Sequence, residues 1–418
     1  MPEQQVDIET TAALVAAVAQ GVAVVRVAAQ LIDVPTLQLH PGQAVVGFGG
    51  SARLAFGAGQ DGLELCSDNC VEGLELAADP DRRAIFNDTS VDDLGRLELR
   101  QLRITGCVRL LAADRVRKGH VEAHDVHILA ADARGFDERP AGFGVEVVPG
   151  VFTVWNRQVD PSVTITADLT GLSIGLAGAP VRGGGVFVAG AGDVGGRLLV
   201  ARLETGEVHS DGGIAPGTPD RISGGVFTVS GAVVDQVRNR GPVTTYGPND
   251  MVLDNWGVVD RWTAEAKITS YGPSGIGFVN FGSLRSLQLL APIETFGGGA
   301  RGFNIYAGSL VEAEFDRVVT HGDGAVGVQI SQPVGCITVR RGIETHGGVG
   351  DSLVKGVVTR LAATALSIKP GGAAREVSVS GGLVTHGAGV EALELHGVVE
   401  ALTVQGGLEA AGKGFASM

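Results

Sequence analysis

Short stretches of alternating apolar and polar residues, separated by glycines, run through most of the chain. Examples are residues 302–306 (GFNIY), 327–331 (GVQIS) and 392–396 (ALELH). A period of two predicts β-strands, and the glycines between them predict tight corners. The exception is the N-terminal segment, where Leu14, Val15 and Val18 form an apolar stripe at helical spacing behind Thr10 or Thr11 as N-cap. We expect a short helix there that covers the first strands.

A three-residue motif, in which a hydroxyl residue is followed by a ring residue and a glycine, recurs along the C-terminal half. Its copies are Thr245-Tyr246-Gly247, Ser270-Tyr271-Gly272, Thr295-Phe296-Gly297, Thr320-His321-Gly322, Thr345-His346-Gly347 and Thr385-His386-Gly387. The first five copies are evenly spaced with a 25-residue period, and the last follows after a longer gap. The longer gap predicts an insertion near residues 351–365. A related Ser210-Asp211-Gly212 precedes Thr245 by more than one period and predicts another insertion near 214–221.

The repeat length sets the predicted architecture. A unit of this length holds three short strands and three corners, and it cannot bury its own apolar face. Such units must stack on one another, with successive strands in parallel. We therefore predict an all-β protein, a right-handed parallel β-helix with an N-terminal capping helix. Residues 1–45 form the predicted cap, and residues 46–418 form a single solenoid domain.

The coil length, the cap and the phrase at residues 69–74 (NCVEGL) resemble the pectate-lyase-like superfamily of single-stranded right-handed β-helix proteins. The resemblance covers nearly the whole chain. It implies the right-handed solenoid fold, directs attention to carbohydrate chemistry, and favours a trimer as the oligomeric state.

The repeat also sorts side chains into inward and outward positions. The aliphatic residues two before each hydroxyl, such as Val243 and Ile268, predict that the hydroxyls themselves point inward, because side chains alternate along a strand. Ten residues after the hydroxyl, Asn255 and Asn280 occupy inward positions on adjacent coils. We expect them to form an internal ladder of amide hydrogen bonds rather than to act in catalysis.

Outward aromatic side chains are concentrated between residues 246 and 306. They are rimmed by polar residues, a chemistry that suits sugar rings. The candidate substrate-binding residues are Trp256, Tyr246, Tyr271, Phe281, Asn304, Tyr306, Arg301 and Trp155. Three interpretations remain open for the aromatic strip: a ligand groove, a subunit interface where Tyr and Trp are enriched, or burial beneath an inserted loop.

Carboxylates near the strip supply the candidate catalytic groups. Cleavage of a glycosidic bond typically uses two carboxylates, one on each side of the bond. Asp254 and Glu294 are outward and adjoin aromatic positions, and Asp250 and Asp260 belong to the same acidic segment. These four residues are the candidate catalytic set.

Composition and charge narrow the possible partners. The chain has 46 acidic and 32 basic residues and a net charge of −14, which disfavours nucleic acid and anionic membranes. No apolar run is long enough to span a bilayer, and the start has no secretory pattern, so we expect a cytoplasmic protein. Cys66 and Cys70 have no second ligand pair nearby, and the ladder of His321 and His346 has no third histidine. We therefore expect no metal site and no cofactor.

Two functional hypotheses follow. The first is a carbohydrate-active enzyme that cleaves or rearranges the glycosidic bonds of an oligosaccharide, as a glycoside hydrolase, polysaccharide lyase or intramolecular glycosyl (fructosyl) transferase. The alternative is a non-catalytic solenoid used for binding or assembly. Exposed apolar ladders make a homo-oligomer the expected state in either case.

Overall fold

Parallel β-sheets and one helix make up the fold. A computed structural model describes residues 5–411. The first part of the chain contains β1 (Gln5–Ile8), α1 (Thr11–Ala19), β2 (Val24–Val27), β3 (Gln30–Val34), β4 (Leu37–Gln38), β5 (Ala44–Gly47), β6 (Arg53–Phe56), β7 (Leu63–Leu65), β8 (Cys70–Glu72), β9 (Glu75–Ala77), β10 (Arg83–Asn87), β11 (Asp93–Thr105), β12 (Cys107–Ala112), β13 (Lys118–Ala130), β14 (Ala141–Gly142), β15 (Val145–Val147), β16 (Gly150–Asn156) and β17 (Thr164–Ile174). The central part contains β18 (Val181–Arg182), β19 (Gly184–Ala189), β20 (Arg197–Asp211), β21 (Arg221–Thr228), β22 (Ala232–Asn239), β23 (Val243–Thr245), β24 (Asp250–Asn255), β25 (Val258–Ala264) and β26 (Ile268–Ser270). The last part contains β27 (Ile276–Asn280), β28 (Ser283–Leu289), β29 (Ile293–Thr295), β30 (Arg301–Ile305), β31 (Ser309–Phe315), β32 (Val318–Thr320), β33 (Val326–Ile330), β34 (Pro333–Val339), β35 (Ile343–Thr345), β36 (Val349–Val354), β37 (Val357–Ala362), β38 (Leu366–Ile368), β39 (Ala373–Val379), β40 (Leu383–Thr385), β41 (Leu393–Leu395), β42 (Val398–Val404) and β43 (Leu408–Ala410).

The strands stack as a parallel β-solenoid, which confirms the predicted all-β, repeat-based class. In the regular part, each repeat adds one strand to each of three faces. The long-strand face comprises β22, β25, β28, β31, β34, β39 and β42. The short-strand face comprises β23, β26, β29, β32, β35, β40 and β43. The third face runs the length of the solenoid as β4, β7, β10, β12, β16, β19, β21, β24, β27, β30, β33, β38 and β41.

The register follows the sequence repeat. Trp262 pairs with Leu287 on the long-strand face, Ile268 with Ile293 on the short-strand face, and Phe278 with Phe303 on the third face. Each pair is one repeat apart in the sequence. Equivalent residues of neighbouring repeats therefore lie directly above one another.

Between residues 93 and 211 the long and short strands merge into single strands, β11, β13, β17 and β20. The first three of these strands turn at a corner where the backbone enters the left-handed region, at Gln101 (φ 52°), Asp125 (φ 58°) and Gly171 (φ 67°). This merging explains why the sequence repeat is weaker there. A glycine is the residue that adopts this backbone without strain, but the corner accepts Gln and Asp as well.

The N-terminal helix is present as predicted. The Ala13 N–H donates to Thr10 Oγ1 at 3.2 Å, which makes Thr10 the N-cap. Leu14 and Val18 are buried against the first strands, whereas Val15 faces solvent. β1 and β2 pair in parallel with each other, so strands of the predicted cap already belong to the main sheet.

The predicted inward positions form the core. Val243, Ile268 and the equivalent aliphatic residues are fully buried, and so are the hydroxyl residues that follow them. The asparagine ladder forms as predicted: Asn255 Nδ2 donates to Asn280 Oδ1 at 2.8 Å, and both residues are fully buried.

From Gly272 onward, the glycine of each motif copy is required by close backbone approach, whereas a Cβ on Gly247 would meet the side chains of Asp211 and Asp250. A Cβ on Gly272 would lie 1.7 Å from the carbonyl oxygen of Gly247, and a Cβ on Gly297 would lie 2.0 Å from that of Gly272. Any larger residue would force the coils apart. The motif is therefore a structural feature of the corner.

Two segments interrupt the regular coils. Residues 212–220 connect β20 to β21 without a strand, within the region of one predicted insertion. The other predicted insertion contains an antiparallel hairpin, β36–β37, whose two-residue turn is Lys355 and Gly356. Both turn residues have positive φ, 48° and 79°, as a tight hairpin requires. No helix within residues 5–411 has the length and apolar character needed to cross a membrane.

A roofed crevice as the candidate functional site

The aromatic strip on the third face is covered by other segments of the chain. Trp256 is 4 % exposed and Tyr306 is 5 % exposed, and Phe281 between them is half-buried. Phe281 and Tyr306 stack with ring centroids 5.2 Å apart. The predicted ladder therefore exists. Of the three interpretations left open, burial beneath other segments is the one that the structure shows for these residues.

One half of the cover is the loop between β14 and β15. Phe143 at its tip contacts Trp256 edge to face at 5.0 Å and Phe281 at 4.4 Å between ring centroids. Phe143 and the following Gly144 both have positive φ, which turns the tip over the third face. β15 pairs in parallel with β21 at Glu146 and Arg221, and this pairing anchors the loop.

The other half of the cover is the hairpin β36–β37. Ser352 Oγ donates to Gly299 O at 2.6 Å, and the Leu353 N–H donates to Ser274 Oγ at 3.2 Å. At the tip, Lys355 Nζ donates to the backbone oxygen of Tyr306 at 3.3 Å. The hairpin thus lies across the third face and is held there by a small number of hydrogen bonds.

A narrow crevice remains beneath the two covers, with a volume of ≈ 30 Å³, enough for about one water molecule. Most of its walls are apolar. Its lining residues are Phe143, Val145, Ile222, Met251, Asp254, Ser274, Ile276, Val279, Phe281, Tyr306, Leu353, Lys355 and Gly356. Asp254 is the one carboxylate among them.

Asp254 is fully buried, and neither of its carboxylate oxygens makes a hydrogen bond of good geometry with residues 5–411. Burial raises the pKa of Asp254 well above its ordinary value, and the Trp256 indole N–H opposes that rise. The same indole nitrogen has no other partner within that range. Burial in the crevice therefore favours the neutral, protonated form of this carboxyl group.

Further polar groups near the crevice also lack hydrogen bonds of good geometry among the described residues, although the Asn304 amide lies close enough to the Tyr306 hydroxyl to oppose the rise that burial causes in the Tyr306 pKa. The Tyr306 hydroxyl, both amide atoms of Asn304 and one terminal nitrogen of Arg301 are buried without a hydrogen bond of good geometry. Arg301 is fully buried and has no ion pair within residues 5–411. Its other contacts are Nε to Gln329 Oε1 at 3.3 Å and Nη1 to the Leu353 backbone oxygen at 3.2 Å.

This concentration of unpaired polar groups is unusual, since buried polar groups are nearly always hydrogen-bonded. An arginine keeps its charge even when buried. Beside the crevice, Arg301 is therefore a cation without a counter-ion among the described residues. The arrangement has capacity to hold an anionic, hydroxyl-rich group.

Asp250 lies on the same strand as Asp254 but has a structural setting. Its Oδ2 accepts hydrogen bonds from the N–H groups of Gly212 at 3.0 Å and Gly247 at 2.8 Å. Burial raises the pKa of Asp250 to about 7, although the two backbone donors lower it. The carboxylate ties two corners of adjacent coils together, and it does not line the crevice.

The other two predicted carboxylates lie on other faces. Glu294 is on the short-strand face, where it forms an ion pair with Lys267 and contacts His321 Nε2 at 2.9 Å. Asp260 is on the long-strand face and forms an exposed ion pair with Arg285. The structure therefore brings neither of them to Asp254, and the four predicted carboxylates do not assemble one pair.

The remaining predicted binding residues divide between two places. Trp155 is buried on the third face, donates from Nε1 to Gly190 O at 3.0 Å and adjoins a shallow recess that also contains Trp256. Tyr246 and Tyr271 lie on the short-strand side and stack on each other at 5.4 Å. Tyr271 is 48 % exposed, so this second row of rings is partly open.

The residues that cover the crevice, and one polar groove elsewhere on the third face, were not predicted from the sequence. Phe143 and Lys355 belong to segments outside the repeat, and the only signal was the inserted length near residues 351–365. A polar groove with a volume of ≈ 480 Å³ lies further along the third face, near Arg109 and Arg157. Arg109 is buried and pairs with Glu138 at 3.0 Å. The weaker repeat in this region gave no indication of it.

Comparison with known protein families, with curated proteins and with solved structures finds no match to this chain. Function is therefore inferred from the geometry of the crevice and its lining residues.

Proposed function

We propose that the protein is a carbohydrate-active enzyme that cleaves or rearranges a glycosidic bond of an oligosaccharide, with Asp254 as the general acid. The supporting observation is the carboxyl group of Asp254 in a crevice, where it is fully buried, lacks a hydrogen bond of good geometry among the described residues and has a pKa that burial raises. Such a group destabilises a purely structural protein, whereas a perturbed carboxyl in a cleft is typical of catalytic sites. A raised pKa is what a general acid needs near neutral pH.

One carboxyl group is sufficient for the proposed cleavage of the glycosidic bond. The bond between the anomeric carbon and the glycosidic oxygen breaks, its electron pair goes to the oxygen, and that oxygen takes the proton of Asp254. An incoming hydroxyl, from water or from the substrate itself, then bonds to the anomeric carbon and gives its proton to the Asp254 carboxylate. Water gives hydrolysis, and a substrate hydroxyl gives a rearranged product.

The unpaired polar groups supply the proposed substrate contacts. Arg301 offers a positive charge for a carboxylate on the sugar, and Tyr306 and Asn304 offer hydrogen bonds to hydroxyls. Trp155 and Phe281 provide ring faces for the apolar side of neighbouring sugars. This assignment favours an oligosaccharide that carries an acidic residue.

Entry of a sugar requires the crevice to open, because its present volume is ≈ 30 Å³. We propose that the hairpin β36–β37 lifts from the third face. The bonds from Ser352 and Leu353 and the Lys355 contact are the ones that must break. Loops and hairpins that close over substrates also exclude water from the reaction.

A product screen by mass spectrometry tests this proposal. The protein is incubated with neutral and uronic-acid oligosaccharides, beside Asp254→Asn and the matched control Asp260→Asn. Asparagine has nearly the same shape as the neutral acid but has no proton to give, so product formation should fall about 100-fold or more in Asp254→Asn. Asp260→Asn changes only an exposed ion pair and should retain activity.

Full turnover by Asp254→Asn would exclude Asp254 as the acid. Absence of product from the unmodified protein across the panel would count against the enzyme and favour the alternative. Product masses distinguish hydrolysis, elimination and rearrangement.

The alternative is a non-catalytic solenoid for binding or assembly, and the partly exposed ring row favours it. Tyr271 is 48 % exposed and Phe296 is 37 % exposed, and the two rings stack at 5.0 Å. A flat row of this kind suits a subunit interface. Light scattering on Tyr271→Ser/Phe296→Ser tests it, because loss of an oligomer in that variant places the interface on the row.

The finer architectural and cellular assignments are also proposals. We propose that the coils wind right-handed, as connections between parallel strands of one sheet nearly always do. The pectate-lyase-like superfamily remains the proposed relation, and a cytoplasmic homo-oligomer, with a trimer favoured, remains the proposed state. The net charge of −14 supports the absence of nucleic-acid and anionic-membrane partners.

A further inference from the structure

A continuous row of stacked rings runs along the corner that follows the short-strand face. We call it the ring ladder. Its members, in order, are Tyr246, Tyr271, Phe296, His321, His346 and His386. Neighbouring ring centroids are 4.5–5.4 Å apart along the row. The predicted stacking of these positions is therefore present, and its last three members are imidazoles.

A glutamate two residues before some ladder positions shares their side of the strand. Glu294 Oε1 contacts His321 Nε2 at 2.9 Å. Glu344 Oε1 lies 3.2 Å from His346 Nε2 and 2.9 Å from His386 Nε2. One carboxylate oxygen thus faces two imidazole nitrogens from consecutive coils.

The three side chains form a compact ligand set. Glu344 Oε1 and the ring nitrogens of His346 and His386 all lie within 4.8 Å of one another. The expectation of no metal site weighed Cys66, Cys70 and the histidine ladder, and it did not consider Glu344 as a ligand.

We propose that Glu344, His346 and His386 form a binding site for a divalent transition-metal ion, with zinc as the best fit. Two imidazoles and one carboxylate are a set that Zn²⁺ accepts, at about 2.0–2.2 Å from each ligand atom, with the remaining position open to water. The site is independent of Asp254 and of the proposed carbohydrate function.

The stack must open slightly for the ion to enter. The His346 and His386 rings are nearly parallel, 14° apart with centroids at 4.5 Å, so their lone pairs do not yet converge on one point. His386 is the last ring of the ladder, because Ala411 occupies the equivalent place on the next coil. With 46 % of its side chain exposed, His386 has room to rotate.

Arg317 has two opposing effects on the proposed site. Arg317 forms an ion pair with the other oxygen of Glu344 and holds the carboxylate in place, while it also opposes a nearby cation. We expect moderate affinity from two exposed imidazoles and one half-buried carboxylate beside one arginine.

The site lies at the base of the hairpin that covers the crevice. β36 begins at Val349, three residues after His346. His386 belongs to the next complete coil after the hairpin. A bound ion would therefore join the chain on the two sides of the insertion.

Isothermal titration of the chelator-treated protein with Zn²⁺ tests the proposal, with Co²⁺ absorption as a second readout. The informative variant is His386→Phe, which keeps a stackable ring, as Phe296 does in the same row, and removes the ligand nitrogen. The matched control is His396→Phe, because His396 contacts Glu394 at 2.9 Å in the same Glu-x-His spacing without a second imidazole.

We expect one Zn²⁺ per chain in the unmodified protein and in His396→Phe. His386→Phe should weaken binding by roughly 100-fold or more, since loss of outer-shell partners alone costs 10–100-fold. His346→Phe should do the same. Absence of saturable Zn²⁺ binding by the unmodified protein overturns the proposal, and so does equal binding by His386→Phe with an unchanged Co²⁺ spectrum.

Discussion

Replacing Asn255 and Asn280 together with isoleucine should destabilise the solenoid less than the two single replacements added together. In the ladder, Thr228 Oγ1 donates to Asn255 Oδ1 at 2.7 Å, and Asn255 Nδ2 donates to Asn280 Oδ1 at 2.8 Å. Asn255→Ile removes both hydrogen bonds and leaves the Thr228 hydroxyl and the Asn280 oxygen buried without these partners.

The expected loss of stability follows from the number of buried polar groups that lose a hydrogen-bond partner. Each buried polar group that loses its partner costs about 1–3 kcal/mol, so Asn255→Ile should cost about 2–6 kcal/mol. Asn280→Ile also removes the hydrogen bond that Asn280 Nδ2 donates to the backbone oxygen of Gly282 at 2.9 Å. The double variant removes both partners of the Asn255–Asn280 bond at once, so it should cost about 1–3 kcal/mol less than the two single variants added together. The chain itself places Ile305, Ile330 and Ile368 at the same position on later coils.

The assay is urea denaturation followed by circular dichroism. Because stacked repeats need not unfold in one step, the transition midpoints are compared directly. Ile305→Val serves as a packing control, with an expected cost of about 0.5–1.5 kcal/mol. The reasoning is refuted if the double variant loses as much as the two single variants added together, because paired removal would then give no relief.

Three further predictions address the corners and the cover. Burial raises the pKa of Asp250 from 3.8 to about 7, so the contribution of Asp250 to stability should be full below about pH 4 and should be lost as pH rises through 7. Urea midpoints measured from pH 4 to 8 should therefore fall less steeply with pH in Asp250→Asn than in the unmodified protein, and an equal slope would contradict this assignment. Gly297→Ala should lower stability by about 1–3 kcal/mol in thermal melts because its Cβ would lie 2.0 Å from a carbonyl oxygen. Gly298→Ala, whose nearest contact would be 3.8 Å away, is the control and should melt like the unmodified protein. Phe143→Ala should uncover Trp256 and increase acrylamide quenching of tryptophan fluorescence, and unchanged quenching would show that Phe143 does not seal the crevice.

The crevice shows where sequence-based prediction of the site stops. Asp254, Trp256 and Tyr306 were identified because they recur at fixed positions of the repeat on one face. Their burial was one of three open interpretations, and the repeat contains nothing that selects among them. The partners that bury them, Phe143 and Leu353, lie outside the repeat and far away in the sequence.

The candidate catalytic carboxylates show a second limit of prediction from the sequence. Glu294 and Asp254 are both outward, and the sequence placed both near aromatic positions. They belong to different faces of the coil, so they cannot act on one bond. Parity along a strand distinguishes inside from outside, but it does not tell which of three outer faces a residue occupies.

The sequence by itself determined the stacked coil, the inward hydroxyls, the asparagine ladder and the order of the ring ladder. These features follow from a 25-residue period, because a period fixes which residues lie above one another. Only the tertiary structure decided where the nonrepeating segments lie. The hairpin β36–β37 and the Phe143 loop fold onto the third face through apolar contacts and a few hydrogen bonds between distant parts of the chain. No local pattern encodes those contacts, and they turn an aromatic strip into a covered crevice with a buried acid.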